Sequence, residues 1–134
     1  MKTSLRALLV EDSEDDAMLV VRQLRDSGYT VTWERVETAG TMRAALDRRT
    51  WDIVICDYQL PSFDGLAALR LLHEAGLDLP VIIVSGTIGE DIAVGAMKAG
   101  AHDYLMKGQL ARLAPAVERE LREAASRRER RLVG

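Results

Sequence analysis

One cysteine among 134 residues leaves nothing for an internal disulfide to close on. The chain must rely on an apolar core, and it suits a reducing, cytoplasmic setting. No apolar run approaches the ~20 residues that span a bilayer, and Met1 to Ser4 are too few and too polar for a signal peptide. Basic residues are not in excess either. Lys and Arg total 18 against 21 Asp and Glu, a net charge of −3, which argues against nucleic acid or an acidic membrane surface as partner. Histidine is scarce, at two. His73 and His102 have no second ligand at metal spacing, so neither is expected to bind metal or to carry a phosphoryl group. Repeats, low-complexity tracts and Pro/Gly/Ser linkers are all missing. Residues 1–134 therefore read as one domain, with a core over about 5–125 and a C-terminal helix reaching about residue 131. Apolar residues make up 48%, enough for a real core.

The chain alternates between two hydrophobic periods. Leu5 to Val10, Asp52 to Cys56 and Pro80 to Val84 are short, nearly unbroken apolar runs, the pattern of strands covered on both faces. Val31 to Val36 alternates imperfectly, with Val31 and Trp33 on one face, as an edge strand would. His102 to Met106 is the last strand. Between them lie helical spacings. The first helix runs from Glu14 to Asp26 with Ala17, Val20, Val21 and Leu24 inward; Ser13 and Asp16 fit a capping box, and Gly28 a stop. Thr38 caps a second helix carrying Met42, Ala45 and Leu46. A third spans about Gly65 to Ala75 with Leu66, Leu69 and Leu72 inward and Gly76 as its end. Ile92, Ala96 and Ala99 mark a fourth, closed by Gly100. Gln109 to Leu113 reads as a separate short turn. Pro115 fits the first turn of the final helix, whose face runs through Leu113, Val117, Leu121 and Ala124, after Leu110. Five strands alternating with five helices predict a parallel sheet covered on both faces. The expected fold is α/β, a flavodoxin-like (βα)5 three-layer sandwich with strand order 2-1-3-4-5.

The residues just past each apolar run carry the chemistry. Leu8-Leu9-Val10 leads into Glu11-Asp12, Ile53 to Cys56 into Asp57, Val81 to Val84 into Ser85, and Tyr104-Leu105-Met106 into Lys107. In a parallel sheet these ends share one edge, outside which ligands of open α/β sheets bind. Any one polar strand end is unremarkable. The set is not, because four strands bring three carboxylates, a hydroxyl and an ammonium to one place. Two carboxylates ~4 Å apart repel by roughly 4 kcal/mol at an effective dielectric of about 20. Lys107 offers one compensating charge, and a hard divalent cation such as Mg²⁺ would offer the rest.

These residues resemble the receiver domain of two-component response regulators. The segments that carry the likeness are ALLVEDSEDDA, DIVICDYQLPSFDGL and VIIVSGTIGEDIAVGAMKAGAHDYLMK, together with the helical tail, roughly Leu5 to Ala125. The resemblance implies a signalling phosphoacceptor rather than an enzyme with turnover. Asp57 would be the nucleophile. Glu11, Asp12, Asp57 and the backbone carbonyl of Gln59 would hold Mg²⁺, with Mn²⁺ as an alternative. Ser85, the amide of Gly86 and Lys107 would bind the phosphoryl group. Tyr104 would be the aromatic switch that moves inward with Ser85, on a face made of the fourth helix, fifth strand and fifth helix. The implied partners are a histidine kinase or histidine phosphotransfer protein and a downstream protein target. The chain would be a monomer or a phosphorylation-dependent homodimer. A receiver portion of a longer hybrid kinase or regulator is the alternative origin of such a sequence.

Some positions depart from that pattern. Gly108 follows Lys107 where many receivers carry proline, which points to a more mobile loop. Gly86 replaces the commoner alanine and leaves the phosphate side open. Gln59 and Thr87 occupy positions that tune dephosphorylation in the family. Two rival chemistries fit less well. A haloacid-dehalogenase-type phosphatase wants a second aspartate at the place of Gln59, and a flavodoxin wants a glycine- and hydroxyl-rich loop where Glu11 to Asp15 would repel phosphate. Cys56, Trp33 and Trp51 read as packing residues. Pro61 and Gly65 read as shaping the turn after Asp57. The stretch Glu118 to Arg131, with six arginines and four glutamates, reads as a solvated helix with i,i+4 pairs.

Overall fold

The computed structural model describes residues 3–58, 60, 63–86 and 89–133. Five strands and five α-helices alternate: β1 (Thr3–Val10), α1 (Glu14–Asp26), β2 (Tyr29–Val36), α2 (Ala39–Arg48), β3 (Ile53–Cys56), α3 (Gly65–Glu74), β4 (Val81–Ser85), α4 (Glu90–Lys98), β5 (Asp103–Met106) and α5 (Leu113–Val133). A 3-10 helix, Lys107–Arg112, joins β5 to α5. All strand pairs are parallel and the order is β2-β1-β3-β4-β5, as the alternation predicts. This is a flavodoxin-like α/β fold.

Strand periodicity splits the core in two. Leu5, Ala7, Leu9, Ile53, Ile55, Ile82 and Val84 point to one face and pack against α1 and α5. Leu8, Val10, Val54, Cys56, Val81 and Ile83 point to the other, against α2, α3 and α4. Successive residues of one strand serve opposite layers, so the covered stretches Ala7 to Val10, Ile53 to Cys56 and Val81 to Val84 leave no position for a charged side chain. Each fully buried Leu or Ile contributes roughly 1.5–3 kcal/mol of transfer free energy. The register aligns the strand ends: Val10 lies beside Cys56, Cys56 beside Ile83, and Ser85 beside Met106.

Helix faces follow expectation in the main, with instructive exceptions. α1 buries Ala17, Val20, Val21 and Leu24, and Gly28 leaves the turn at φ 101°. Its capping box is only half made. Ser13 Oγ accepts from the Asp16 amide at 3.2 Å, but the Ser13 amide donates to Glu11 Oε2 at 3.3 Å instead of to Asp16. Thr38 caps α2 through a full box with Thr41. On α3, Leu69 and Leu72 are buried, but so are Ala68 and Leu71, while Leu66 is only half-buried. The helix lies in the angle between the sheet and α2, and that buries a wider arc than one stripe. On α4, Ala93 and Ala96 are buried and Ala99 is exposed; Ala99 is the C-cap, past the end of the apolar face. Gly65 is needed for space: a Cβ there would meet Tyr58 at 3.1 Å, and its amide donates to the Tyr58 carbonyl at 3.0 Å. Pro61, its expected companion in that turn, lies outside the described residues.

The arginine-rich tail corrects a local expectation. The ion pairs that fasten it are tertiary rather than i,i+4. Arg119 meets Asp103 on β5 as well as the adjacent Glu120, and Arg127 and Arg131 both meet Asp78, in the segment between α3 and β4. The tail is thereby tied to the body of the domain. Among the described residues, no helix is long and apolar enough to cross a membrane.

Candidate phosphoacceptor and metal site

The aligned strand ends assemble the site. Asp57 extends the β3 ladder by one residue, its amide donating to the Val10 carbonyl at 2.8 Å, and the Glu11 amide donates to Val36 at 3.0 Å. Glu11 and Asp57 are thereby held side by side just past the sheet, 7% and 8% exposed. Asp12 is exposed beside them. Oxygens of Glu11, Asp12 and Asp57 all lie within 4.8 Å of one another.

Lys107 reaches this cluster from the opposite side. Its Nζ stands 3.0 Å from Asp57 Oδ2, 3.0 Å from Glu11 Oε1 and 2.6 Å from Asp16 Oδ2. Burial opposes the ammonium, yet its hydrogen bonds to Asp16, Asp57 and Glu11 together push its pKa above that of a free lysine. Glu11 moves the other way. Burial, with the negative charge of Asp57 as a further contribution, pushes its carboxyl up to about 7, against the pull of Lys107 and the Ser13 amide. One lysine therefore does not neutralise the cluster. An oxygen-only donor set with surplus negative charge fits a hard divalent ion.

Other expected residues take these places. Ser85 ends β4, 1% exposed, in register with Met106 just before Lys107. Gly86 is exposed, and a Cβ there would meet nothing within 4 Å, so the side where an incoming group would approach is open. Tyr104 is 38% exposed on the edge strand β5. Gln59 and Thr87 lie outside the described residues, so the carbonyl expected from Gln59 has no described position. The separate short turn expected before the last helix is the 3-10 helix Lys107–Arg112, which begins at Lys107 itself. Cys56 is fully buried, and burial together with Asp57, Glu11 and Asp64 pushes its thiol pKa up, so it packs rather than reacts. His73 is exposed, and His102 Nδ1 accepts from the Val81 amide at 3.0 Å, a structural bond.

Sequence reasoning misses two residues of the site. Asp16 reads only as a capping residue, though its place in the first turn of α1 brings its carboxylate to the ammonium of Lys107. Arg35, near the end of β2, donates from Nη1 to the carbonyls of Glu11 at 3.2 Å and Asp12 at 3.4 Å, and pairs with Glu37 at 3.1 Å. It braces the acidic turn from behind. The rule that strand ends deliver the chemistry reaches Arg35 once it is extended to the second strand.

Comparison with known proteins agrees with this geometry. Residues 7–118 match the response regulator receiver domain family. The transcriptional regulatory protein PrrA of Mycobacterium tuberculosis is 35% identical over 125 residues, 92% of this chain and 53% of PrrA. The chain thus spans about half the length of that relative. The crystal structure of NtrX from Brucella abortus superposes with a TM-score of 0.85 at 30% identity, over 98% of this chain and 30% of that one. The receiver domain of the sensor histidine kinase PA1611 from Pseudomonas aeruginosa, which has a magnesium ion coordinated in its active-site cleft, superposes at 0.71 with 26% identity, over 89% of this chain and 98% of that one. Sequence, fold and acidic pocket agree: this chain belongs to the response regulator receiver domain family of two-component signalling.

Proposed function

We propose that Asp57 accepts a phosphoryl group from the phosphohistidine of a histidine kinase or histidine phosphotransfer protein. One observation carries this reading: a buried carboxylate past a central strand has two acidic neighbours within 4.8 Å and a lysine at 3.0 Å. An Asp57 oxygen attacks phosphorus, an acyl phosphate bond forms, the P–N bond breaks, and the imidazole leaves with its electron pair. Positioning and neutralisation of the phosphoryl oxygens are the chief catalytic demands of such a transfer. Lys107 pairs with one oxygen, while the Ser85 hydroxyl and the Gly86 amide donate to the others. Mg²⁺, or Mn²⁺ in its place, would be held by Glu11, Asp12, Asp57 and the Gln59 carbonyl and would supply the remaining positive charge. The coordinated magnesium of the PA1611 receiver supports this choice.

The output follows from the same charges. Drawing Ser85 toward the phosphoryl group vacates space beside Tyr104, which turns inward and biases the face formed by α4, β5 and α5. The apolar side chains exposed there, Val94, Met97, Tyr104 and Met106, support a docking role toward a downstream protein. Shifting such an equilibrium from 1:99 to 99:1 takes about 5.5 kcal/mol of differential stabilisation. We assign residues 1–134 to one receiver domain working in the cytoplasm. The second reading is the receiver part of a longer hybrid kinase or regulator; that relatives such as PrrA are about twice as long favours it.

Acetyl phosphate with Mg²⁺ tests the site. Wild type gains one phosphoryl group by intact mass, and Asp57→Asn gains none. Equal labelling of Asp57→Asn would show that the nucleophile is another residue.

A further inference from the structure

Lys107 has three N–H donors, and three carboxylate oxygens stand within 3.0 Å of its nitrogen. Two of them, from Glu11 and Asp57, belong to the acidic cluster. The shortest contact, 2.6 Å, comes from Asp16 on the first turn of α1, outside that cluster. The local sequence leaves Asp16 available. At the third position of a helix capped by Ser13, its carboxylate would ordinarily reach back to the Ser13 amide. Glu11 Oε2 accepts from that amide instead, so Asp16 turns toward Lys107. A phosphoryl group on Asp57 brings negative oxygens that need the same ammonium. A divalent ion would draw Glu11 and Asp57 toward itself, but Asp16 is not among the residues placed to ligate it, so its claim on Lys107 persists.

We propose that Asp16 is a positioning residue that competes with the phosphoryl group for Lys107. It holds the lysine between α1 and the strand edge in the resting protein, and its displacement is part of what phosphorylation must accomplish. Asp16 thereby sets how tightly the site accepts a phosphoryl group. This inference rests on the phosphoacceptor reading above.

Beryllofluoride, a mimic of the phosphoryl group, tests it at saturating Mg²⁺ by equilibrium titration. Asp16→Asn keeps the size of the side chain and removes its charge. It should tighten beryllofluoride binding by about 3- to 10-fold, the gain expected when a charge-assisted bond no longer has to be exchanged. A folding defect cannot produce tighter binding, so the direction of change separates positioning from mere structural support. Asp16→Glu restores the charge and returns affinity toward wild type. In a Lys107→Ala background, Asp16→Asn should change affinity by less than about 2-fold, because the shared ammonium is gone. An equal gain in that background would mean plain repulsion through space and would overturn the assignment. So would unchanged or weaker binding by the single variant. If wild type itself fails to bind beryllofluoride, the phosphoacceptor reading falls first, and this inference with it.

Discussion

Glu11 shows how much of the site's behaviour resides in one side chain. Burial and the adjacent Asp57 charge hold its carboxyl up to about 7, while in the unfolded chain it titrates near 4.5. A raised carboxyl contributes stability that is fully present below 4.5 and is lost as pH rises through 7. The metal-free protein should therefore melt at progressively lower temperature between pH 5 and pH 8, by an amount on the order of 2–3 kcal/mol in stability. Mg²⁺ should reverse the loss, because it needs the ionised form, and its binding should release a proton near neutral pH. Calorimetry in two buffers of different ionisation enthalpy reads that proton directly. Glu11→Gln should abolish both the pH slope and the proton release; a slope that survives the substitution would place its source elsewhere. The positions of Glu11, Asp12, Asp57, Ser85 and Lys107 are legible in the sequence because each comes just after an apolar run, and the parallel sheet sends every such end to one edge. The Asp16–Lys107 and Arg35–Glu11 contacts are not, since they join residues distant in sequence and depend on how α1 and β2 lie against the strand edge.

At the scale of elements, periodicity locates helices well and misjudges how far around a helix burial extends. α1 obeys its stripe because it covers the sheet directly. α3 buries Leu71 as well as Leu72 because α2 closes over its flank, which a one-dimensional pattern does not register. The end of α5 departs furthest from a local reading. Its apolar face passes through Leu113, Val117 and Ala124 and then gives way to Arg127 and Arg131. Those arginines hold Asp78, with Arg127 Nε at 3.2 and 3.0 Å from its two oxygens and Arg131 Nη1 at 2.7 Å. Burial opposes the Asp78 carboxylate, but the two arginines outweigh it and hold its pKa below 3.8. The fastening is thus present at neutral pH and fails as pH falls below the usual aspartate range. Pairs this exposed are worth about 1 kcal/mol or less. Asp78→Ala should accordingly leave the main melting transition within a few degrees of wild type, while amide exchange in residues 125–133 accelerates strongly. If that segment keeps its protection, packing rather than the arginine pair holds the tail down.

Across the whole molecule, the site and the two core layers share the same strands, so binding at the edge should be felt throughout. Cys56 offers a means to measure this. It is the single cysteine, it is fully buried in the layer beneath α3, and it directly precedes Asp57. Its thiol pKa is pushed up by burial first and by Asp57, Glu11 and Asp64 next, so a thiol reagent has neither access nor thiolate in the native state. Labelling must then wait for an opening of the central strands. Where reclosing is faster than labelling, the rate follows the population of the open form. A ligand that binds only the native state lowers that population by the factor 1 + [L]/Kd. Mg²⁺ at ten times its dissociation constant should slow Cys56 labelling by about 11-fold. Asp12→Ala removes a proposed ligand from the exposed rim of the cluster without touching either core layer. It should leave metal-free labelling no faster than in wild type, since one source of repulsion is gone, and it should eliminate the Mg²⁺ effect. Rapid labelling of the native protein would show that β3 opens locally. Slowing by Mg²⁺ that persists in Asp12→Ala would place the ion away from the cluster of Glu11, Asp12 and Asp57.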